Sequence, residues 1–109
     1  MSVRSTSAVA DAQRLLHQRQ APALPVIDGT TQVGSISSET AESLGFEGGA
    51  LLVRDVLEPP LAELDEHAPL VDVAAAVAAG GAVLVTRDSF PIGLLTAEDL
   101  RDGDGDWVI

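Results

Sequence analysis

The sequence contains no cysteine, no tyrosine and no lysine, and only 3% of its 109 residues are aromatic. Without cysteine the chain has no disulfide, no thiolate metal site and no cysteine nucleophile. Because aromatic rings are so scarce, the core must be packed from Ala, Val, Leu and Ile. No apolar run approaches the ~20 residues needed to cross a bilayer, and no charged-then-apolar signal opens the chain, so we expect a cytoplasmic protein.

Positive charge is also scarce, since six basic residues, all arginine, stand against 17 acidic ones and give a formal net charge of −11. This charge repels polyanions at long range, so we expect neither nucleic acid nor anionic membrane as a partner. A chain of 109 residues has the length of one compact domain at most.

One pattern, in which an apolar strand leads directly into the first turn of a helix, occurs twice. In the later copy, an apolar run at 82–86 and a second strand at 90–95 precede Thr96, a typical N-cap residue, and two acids follow it. The earlier copy begins at Val26. Alignment on the glycines pairs Gly34 with Gly93, Ser37 with Thr96 and Thr40 with Asp99. The chain is therefore an internal repeat.

The Thr-x-x-Asp motif at 96–99 has a simpler interpretation. It is an acidic form of the capping box, which is a purely structural device. Taken alone, this structural interpretation is the better one. The repetition of the motif favours a functional interpretation.

The remaining patterns predict a mixed α/β (α+β) fold in which each half is strand, helix, strand, strand, helix. Ser7 is a candidate cap for a first helix, Asp28 and Gly29 form a hairpin turn, and Ser37 begins a second helix. Pro69 begins the helix of the second half. Its predicted inward stripe is Leu70, Val73, Ala74, Val77 and Ala78. The predicted repeats span 1–46 and 47–102, with a linker at the start of the second, and an acidic tail spans 103–109.

This order of elements and these motifs resemble a tandem CBS domain pair, also called a Bateman module. The resemblance is carried by 53–57, by the helix containing Asp72, by the strands at 83–85 and 91–93, and by the motif at 93–99. The first repeat carries a weaker form of the same pattern. The resemblance implies two β-α-β-β-α repeats packed about a pseudo-twofold axis, with two clefts for adenosine-containing ligands.

In this family the motif at 93–99 contributes to ligand binding. The resemblance therefore implies that Gly93, Thr96 and Asp99 form the main cleft, with Asp99 on the ribose diol and Thr96 on a phosphate or an equivalent polar group. Ser37 and Thr40 would line a degenerate cleft, because a hydroxyl cannot replace the charge-assisted bonds of a carboxylate. We expect one competent cleft at most.

The charge also bears on the ligand. Arg87 and Arg101 are the only cations near the motif in sequence, and the chain carries a net charge of −11. ATP would therefore be held poorly, and AMP, adenosine or S-adenosylmethionine fits the composition better. An empty cleft fits it too.

We therefore expect a regulatory module, not an enzyme, that senses an adenosyl ligand and signals to a partner protein or to another part of a longer chain. A homodimer is expected by resemblance, through the exposed helix faces at 37–44 and 96–102. The alternative is a ligand-free dimerisation or interaction module. No catalytic residue, cofactor or metal site is predicted, and the apolar end at Trp107 folds back or packs against a second copy.

Overall fold

Two antiparallel β-hairpins with the same irregular register organise the fold. β1 (Ala23–Asp28) pairs with β2 (Thr31–Ser37), and later β4 (Ala82–Arg87) pairs with β5 (Phe90–Thr96). Val26 lies opposite Gly34 and Val85 lies opposite Gly93, and in both hairpins the register shifts immediately after this pair. The same β-bulge at the same place supports the internal repeat read from the sequence.

The computed structural model describes residues 2–102, and the chain divides after Pro60 into two compact units. The length predicts one domain, and the sequence pattern assigns 47–60 to the second repeat. In the structure this segment belongs to the first unit instead. The tail predicted at 103–109, including Trp107, lies outside the described residues.

The first unit contains α1 (Val9–Arg19) and α2 (Ser38–Leu44) beside the β1–β2 hairpin. The first strand of the predicted order is a single parallel bridge, in which Val3 N donates to Pro25 O at 3.2 Å and Ile27 N donates to Val3 O at 2.8 Å. The prediction that Ser7 caps α1 is wrong. Its hydroxyl accepts from Arg4 N at 3.1 Å, and α1 begins without a side-chain cap.

Aliphatic side chains alone form the core of the first unit. α1 contributes Ala12 and Leu16, and the hairpin contributes Leu24, Val26 and Ile36, the last three with no exposed surface. Each fully buried Val, Leu or Ile stabilises the fold by roughly 1.5–3 kcal/mol relative to an exposed one. The complete cluster is Val3, Ala12, Leu16, Ala21, Leu24, Val26, Ile36, Ala41 and Val53.

The segment at 47–60 joins the first unit through its backbone and through one buried side chain. Two short 3₁₀ helices, Glu47–Ala50 and Val53–Val56, follow α2. Val9 N donates to Leu51 O at 2.7 Å, and Val53 N donates to Ser7 O at 2.8 Å. Because Val53 is fully buried in the same core, the segment is part of this unit and not a free linker.

The second unit is a three-stranded sheet in the order β3-β4-β5, with β3 at Ala62–Asp65. β3 runs parallel to β4, and the crossover between them contains α3 (Leu70–Gly80). Gly81 ends α3 in the left-handed conformation with φ 82°, which is typical of glycine after a helix. α4 (Ala97–Asp102) follows β5 directly, and so completes the predicted order.

The predicted inward stripe of α3 is only partly right. Val73 and Val77 are buried against Val83, while Leu70, Ala74 and Ala78 are exposed. The physical reason is that α3 is almost entirely apolar. With little polar contrast around the helix, the 3.6-residue period does not identify which side faces the sheet.

The helices are short. The two longest in residues 2–102, α1 and α3, have 11 residues each. A transmembrane helix needs about 20 apolar residues. None of the helices described between residues 2 and 102 combines the length and apolar character needed to span a bilayer.

Candidate functional site

Each hairpin ends where its second strand passes into a short helix, and these two places contain four of the five site residues predicted from the sequence; the fifth, Gly93, lies in β5. The Ser37 junction (37–40) joins β2 to α2 in the first unit. The Thr96 junction (96–99) joins β5 to α4 in the second unit. Because each hairpin has the same register, Ser37 and Thr96 occupy equivalent positions, opposite Ala23 and Ala82 respectively.

At the Thr96 junction both polar groups of Thr96 meet the carboxylate of Asp99. The backbone N–H of Thr96 donates to Asp99 Oδ2 at 2.9 Å, and its hydroxyl donates to the same oxygen at 3.2 Å. Asp99 is exposed. The sequence therefore correctly predicts that Thr96 and Asp99 lie together. The contact orients an exposed carboxylate, which is able to accept further hydrogen bonds from a ligand hydroxyl pair.

Gly93, the third residue predicted for this site, lies in the exposed part of β5 opposite Val85. A Cβ atom added to Gly93 would meet no described atom within 4 Å. The position therefore does not require glycine for the packing of residues 2–102. Because glycine has no side chain, the backbone of β5 near the Thr96 junction is not covered at this position.

At the Ser37 junction the side chain of Ser37 caps α2, since its Oγ accepts from Thr40 N at 3.1 Å. The sequence correctly predicts this cap. Thr40 stands where Asp99 stands in the later copy, so the first turn of α2 supplies no equivalent carboxylate.

A carboxylate nevertheless reaches Ser37 from a distant part of the first unit. Glu58 Oε1 accepts from Ser37 N at 2.7 Å, and Glu58 Oε2 accepts from Ser37 Oγ at 3.2 Å. Sequence reasoning missed Glu58. The residue lies outside the motif, and the only signal for it was the lack of an acid at position 40.

The two junctions thus contain the same kind of contact, made in different ways. In each, a backbone N–H and a hydroxyl of one residue donate to one carboxylate. The bonds from Thr96 converge on a single oxygen of exposed Asp99, whereas the bonds from Ser37 use both oxygens of half-buried Glu58. The carboxylate of Asp99 is consequently the more accessible of the two.

Arg87, one of the two cations expected near the Thr96 junction, is paired elsewhere. Its Nε donates to Glu66 Oε1 at 2.7 Å, and a terminal nitrogen donates to Glu66 Oε2 at 2.8 Å. These bonds raise the pKa of Arg87 and lower the pKa of Glu66 from their ordinary values. Arg87 therefore stays charged, but its charge is paired with Glu66.

The first unit also contains two surface hollows. One, of about 590 Å³, lies between α1 and α2 beside Phe46, and the other, of about 790 Å³, lies beside Arg4 and Arg14. Neither is lined by Ser37, Thr40 or Glu58. Within residues 2–102, no cluster of three or more His, Asp or Glu residues is arranged to hold a metal ion.

Comparison with solved structures identifies the fold. CBSX2 from Arabidopsis thaliana, a CBS-pair protein, is 24% identical, with 94% of this chain and 84% of that chain covered at a TM-score of 0.79. CBSX2 in complex with AMP is 25% identical over 94% and 85% of the two chains, at a TM-score of 0.76. This chain has the CBS-domain fold. The CBS domains of a transcriptional regulator from Streptococcus pneumoniae match the CBS fold of this chain at 21% identity, with 93% and 86% covered and a TM-score of 0.76.

The comparisons confirm the resemblance to CBS-domain proteins and the mixed α+β class. No family model and no curated protein matches the sequence. The comparisons that show the CBS fold are therefore all with solved structures. The packing of the two repeats as a Bateman module and the roles of the site residues remain predictions.

Proposed function

We propose that this chain is a regulatory CBS module in which Asp99 binds the ribose diol of an adenosyl ligand. The observation that carries the proposal is the exposed carboxylate of Asp99, held in place by two hydrogen bonds from Thr96. A carboxylate accepts two hydroxyl bonds that are roughly twice as strong as bonds between neutral groups. The likeness to a CBS protein solved with AMP supports the choice of an adenosyl compound.

Within this proposal Thr96 acts mainly by positioning Asp99. Its N–H and hydroxyl both donate to Asp99, so a phosphate at this junction would compete with the carboxylate for the same donors. The pairing of Arg87 with Glu66 and the net charge of −11 also disfavour a highly charged ligand. AMP, adenosine or S-adenosylmethionine is therefore favoured over ATP.

The regulatory output follows from the proposed Bateman arrangement of the two repeats. A ligand that binds one arrangement of the repeats more tightly than another shifts the population toward it, and a partner protein senses the change. A homodimer through the helix faces at 37–44 and 96–102 is the proposed assembly. Phe46, which follows α2 and is 99% exposed, supports a contact surface near the first of these faces. We propose no catalytic activity.

One observation favours a second function, a dimerisation or interaction module without a ligand. The bond from Thr96 N to the Asp99 carboxylate is one half of a capping box, and such a structural role at the start of α4 explains both residues without a ligand. Under this alternative the charge of Asp99 matters only through the stability of the helix.

Asp99→Asn separates the two functions, because the amide oxygen still accepts from Thr96 but lacks the charge that binds a diol strongly. We expect at least one of AMP, adenosine and S-adenosylmethionine to raise the melting temperature of the wild type. A ligand at ~100 times its dissociation constant adds about 2.7 kcal/mol to stability. Asp99→Asn should abolish this rise while changing the melting temperature of the free protein little.

Asp72→Asn is the matched control, since Asp72 is also an exposed acid in the first turn of a helix in the same unit. This control should keep the full ligand response. If no compound stabilises the wild type, or if both variants respond like the wild type, the ligand proposal fails and the interaction module stands.

A further inference from the structure

We infer that Glu58 closes the Ser37 junction to ligand and so confines adenosyl binding to the Thr96 junction. The inference rests on the proposed function and names the residue that makes the two junctions differ. It assigns Glu58 a role in selecting the binding site. The segment that carries Glu58, residues 57–59, is called the crossing segment below.

The backbone of the crossing segment is fixed against β2. Glu58 N donates to Ser35 O, and Ser35 N donates to Glu58 O, both at 2.9 Å, as in an antiparallel strand pair. The hydroxyl of Ser35 adds a third bond, to Pro59 O at 2.6 Å. These bonds place the Glu58 side chain beside the end of β2, two residues along the strand from Ser35.

The carboxylate of Glu58 takes both donors that Ser37 offers. Ser37 N–H donates to Oε1 at 2.7 Å and Ser37 Oγ donates to Oε2 at 3.2 Å, while Ser37 Oγ itself accepts from Thr40 N at 3.1 Å. With both donors held in charge-assisted bonds to Glu58, Ser37 has no donor left to position an acid at residue 40 as Thr96 positions Asp99. A phosphate would in addition meet the negative charge of Glu58 at close range.

Gly34 marks a close approach in the first unit that residues 2–102 do not repeat in the second. A Cβ atom at Gly34 would lie 2.5 Å from Leu57 Cγ and 2.7 Å from Glu58 O, and Gly34 is buried. The equivalent Gly93 is exposed, and a Cβ atom there would meet no described atom within 4 Å. The crossing segment therefore covers one hairpin at the position that the described residues leave open in the other.

The inference predicts which substitutions create a second site. Thr40→Asp restores the carboxylate at the position equivalent to Asp99, but Glu58 still takes the donors of Ser37. By calorimetric titration we expect one AMP per chain for the wild type and one for Thr40→Asp. The double variant Thr40→Asp/Glu58→Ala rebuilds the contact seen between Thr96 and Asp99, and should bind two.

A ligand-independent measurement accompanies the titration. Glu58→Ala should speed hydrogen exchange of the Ser37 amide at least tenfold, with the Thr96 amide unchanged, because only the first loses its carboxylate acceptor. An unchanged Ser37 exchange rate overturns the inference. Far-UV circular dichroism and a thermal melt of each variant establish that it is folded.

The outcomes distinguish the inference from the proposed function. One AMP for the wild type and one for the double variant overturn the inference alone. The inference is also overturned if Thr40→Asp binds a second AMP. It is overturned as well if the wild type binds two AMP molecules and Glu58→Ala binds only one. No AMP for the wild type but one for the double variant overturns the proposed role of Asp99 and supports the inference. No binding by either protein overturns both.

Discussion

Arg87 and Glu66 form a two-bond ion pair that joins the end of β4 to the residue that follows β3. Arg87 Nε lies 2.7 Å from Glu66 Oε1, and a terminal guanidinium nitrogen lies 2.8 Å from Oε2. The backbone reinforces the contact, since Glu66 N donates to Thr86 O at 2.8 Å. The carboxylate of Glu66 is thereby stabilised in its charged form.

Between pH 7 and pH 3, Glu66→Gln should lose less of its free energy of unfolding than the wild type does. The hydrogen bonds from Arg87 lower the pKa of Glu66 below its ordinary 4.5 in the folded protein. The stability that the ion pair contributes is therefore fully present at a pH above the ordinary pKa of Glu66. It is lost as the pH falls through the lowered pKa of Glu66 in the folded protein. Urea denaturation at pH 7 and at pH 3 measures the free energy of unfolding. If the variant and the wild type lose the same free energy between these two pH values, the role of the ion pair is contradicted.

A second prediction concerns Asp28 at the hairpin turn of the first unit. Ser5 Oγ donates to Asp28 Oδ2 at 2.6 Å and Ser5 N donates to Oδ1 at 3.0 Å, and these two bonds lower the pKa of Asp28 below its ordinary 3.8. In Ser5→Ala the hydroxyl bond is lost and the backbone bond remains. The pKa of Asp28, followed by NMR of its carboxyl carbon, should rise toward 3.8 without reaching it. An unchanged pKa would show that the hydroxyl bond does not form in solution.

Gly34→Ala and Gly93→Ala form a matched pair, because the two glycines hold the same register position in the two hairpins. Gly34→Ala should destabilise the protein by about 1–3 kcal/mol, since its Cβ would overlap Leu57 and the backbone of Glu58. Gly93→Ala should be neutral or up to about 1 kcal/mol stabilising, because alanine loses less chain entropy in a strand. Chemical denaturation measures both values, and equal effects would place the crossing segment elsewhere.

Ile36→Ala tests the core of the first unit. Ile36 has no exposed surface, so the substitution should cost about 2–5 kcal/mol through lost burial and a residual cavity. Ile92, which is 46% exposed, provides the same substitution at the surface. Ile92→Ala should cost less than about 1 kcal/mol. Similar losses measured by urea denaturation would show that Ile36 is not the core residue described here.

Local sequence signals were enough to predict most of the elements. The turn at Asp28 and Gly29 lies between two apolar runs, and the structure has the hairpin there. Ser37 caps α2 as expected. These predictions are correct because each feature depends on the conformation of a few neighbouring residues.

Other predictions differ from the structure where another residue, near or distant in sequence, takes the group or the segment concerned. Ser7 has the right chemistry for a cap, but its hydroxyl accepts from Arg4 N instead. Segment 47–60 is predicted to belong to the second repeat and its preceding linker, and in the structure Val53 from this segment is buried in the first unit. For Ser7 the competing donor is local, since Arg4 lies only three residues earlier, whereas the burial of Val53 is a tertiary contact that no local pattern encodes.

The amino-acid sequence alone determined the two hairpins and the pairing of Thr96 with Asp99, because both depend on neighbours within a few positions, and the repeat was visible by aligning the two copies. Only the tertiary structure decided that the carboxylate at Ser37 comes from Glu58, 21 residues further along the chain. The physical reason is that a buried or half-buried donor needs an acceptor but does not specify from which segment. Folding brings the crossing segment onto β2, and Gly34 leaves the space that this requires.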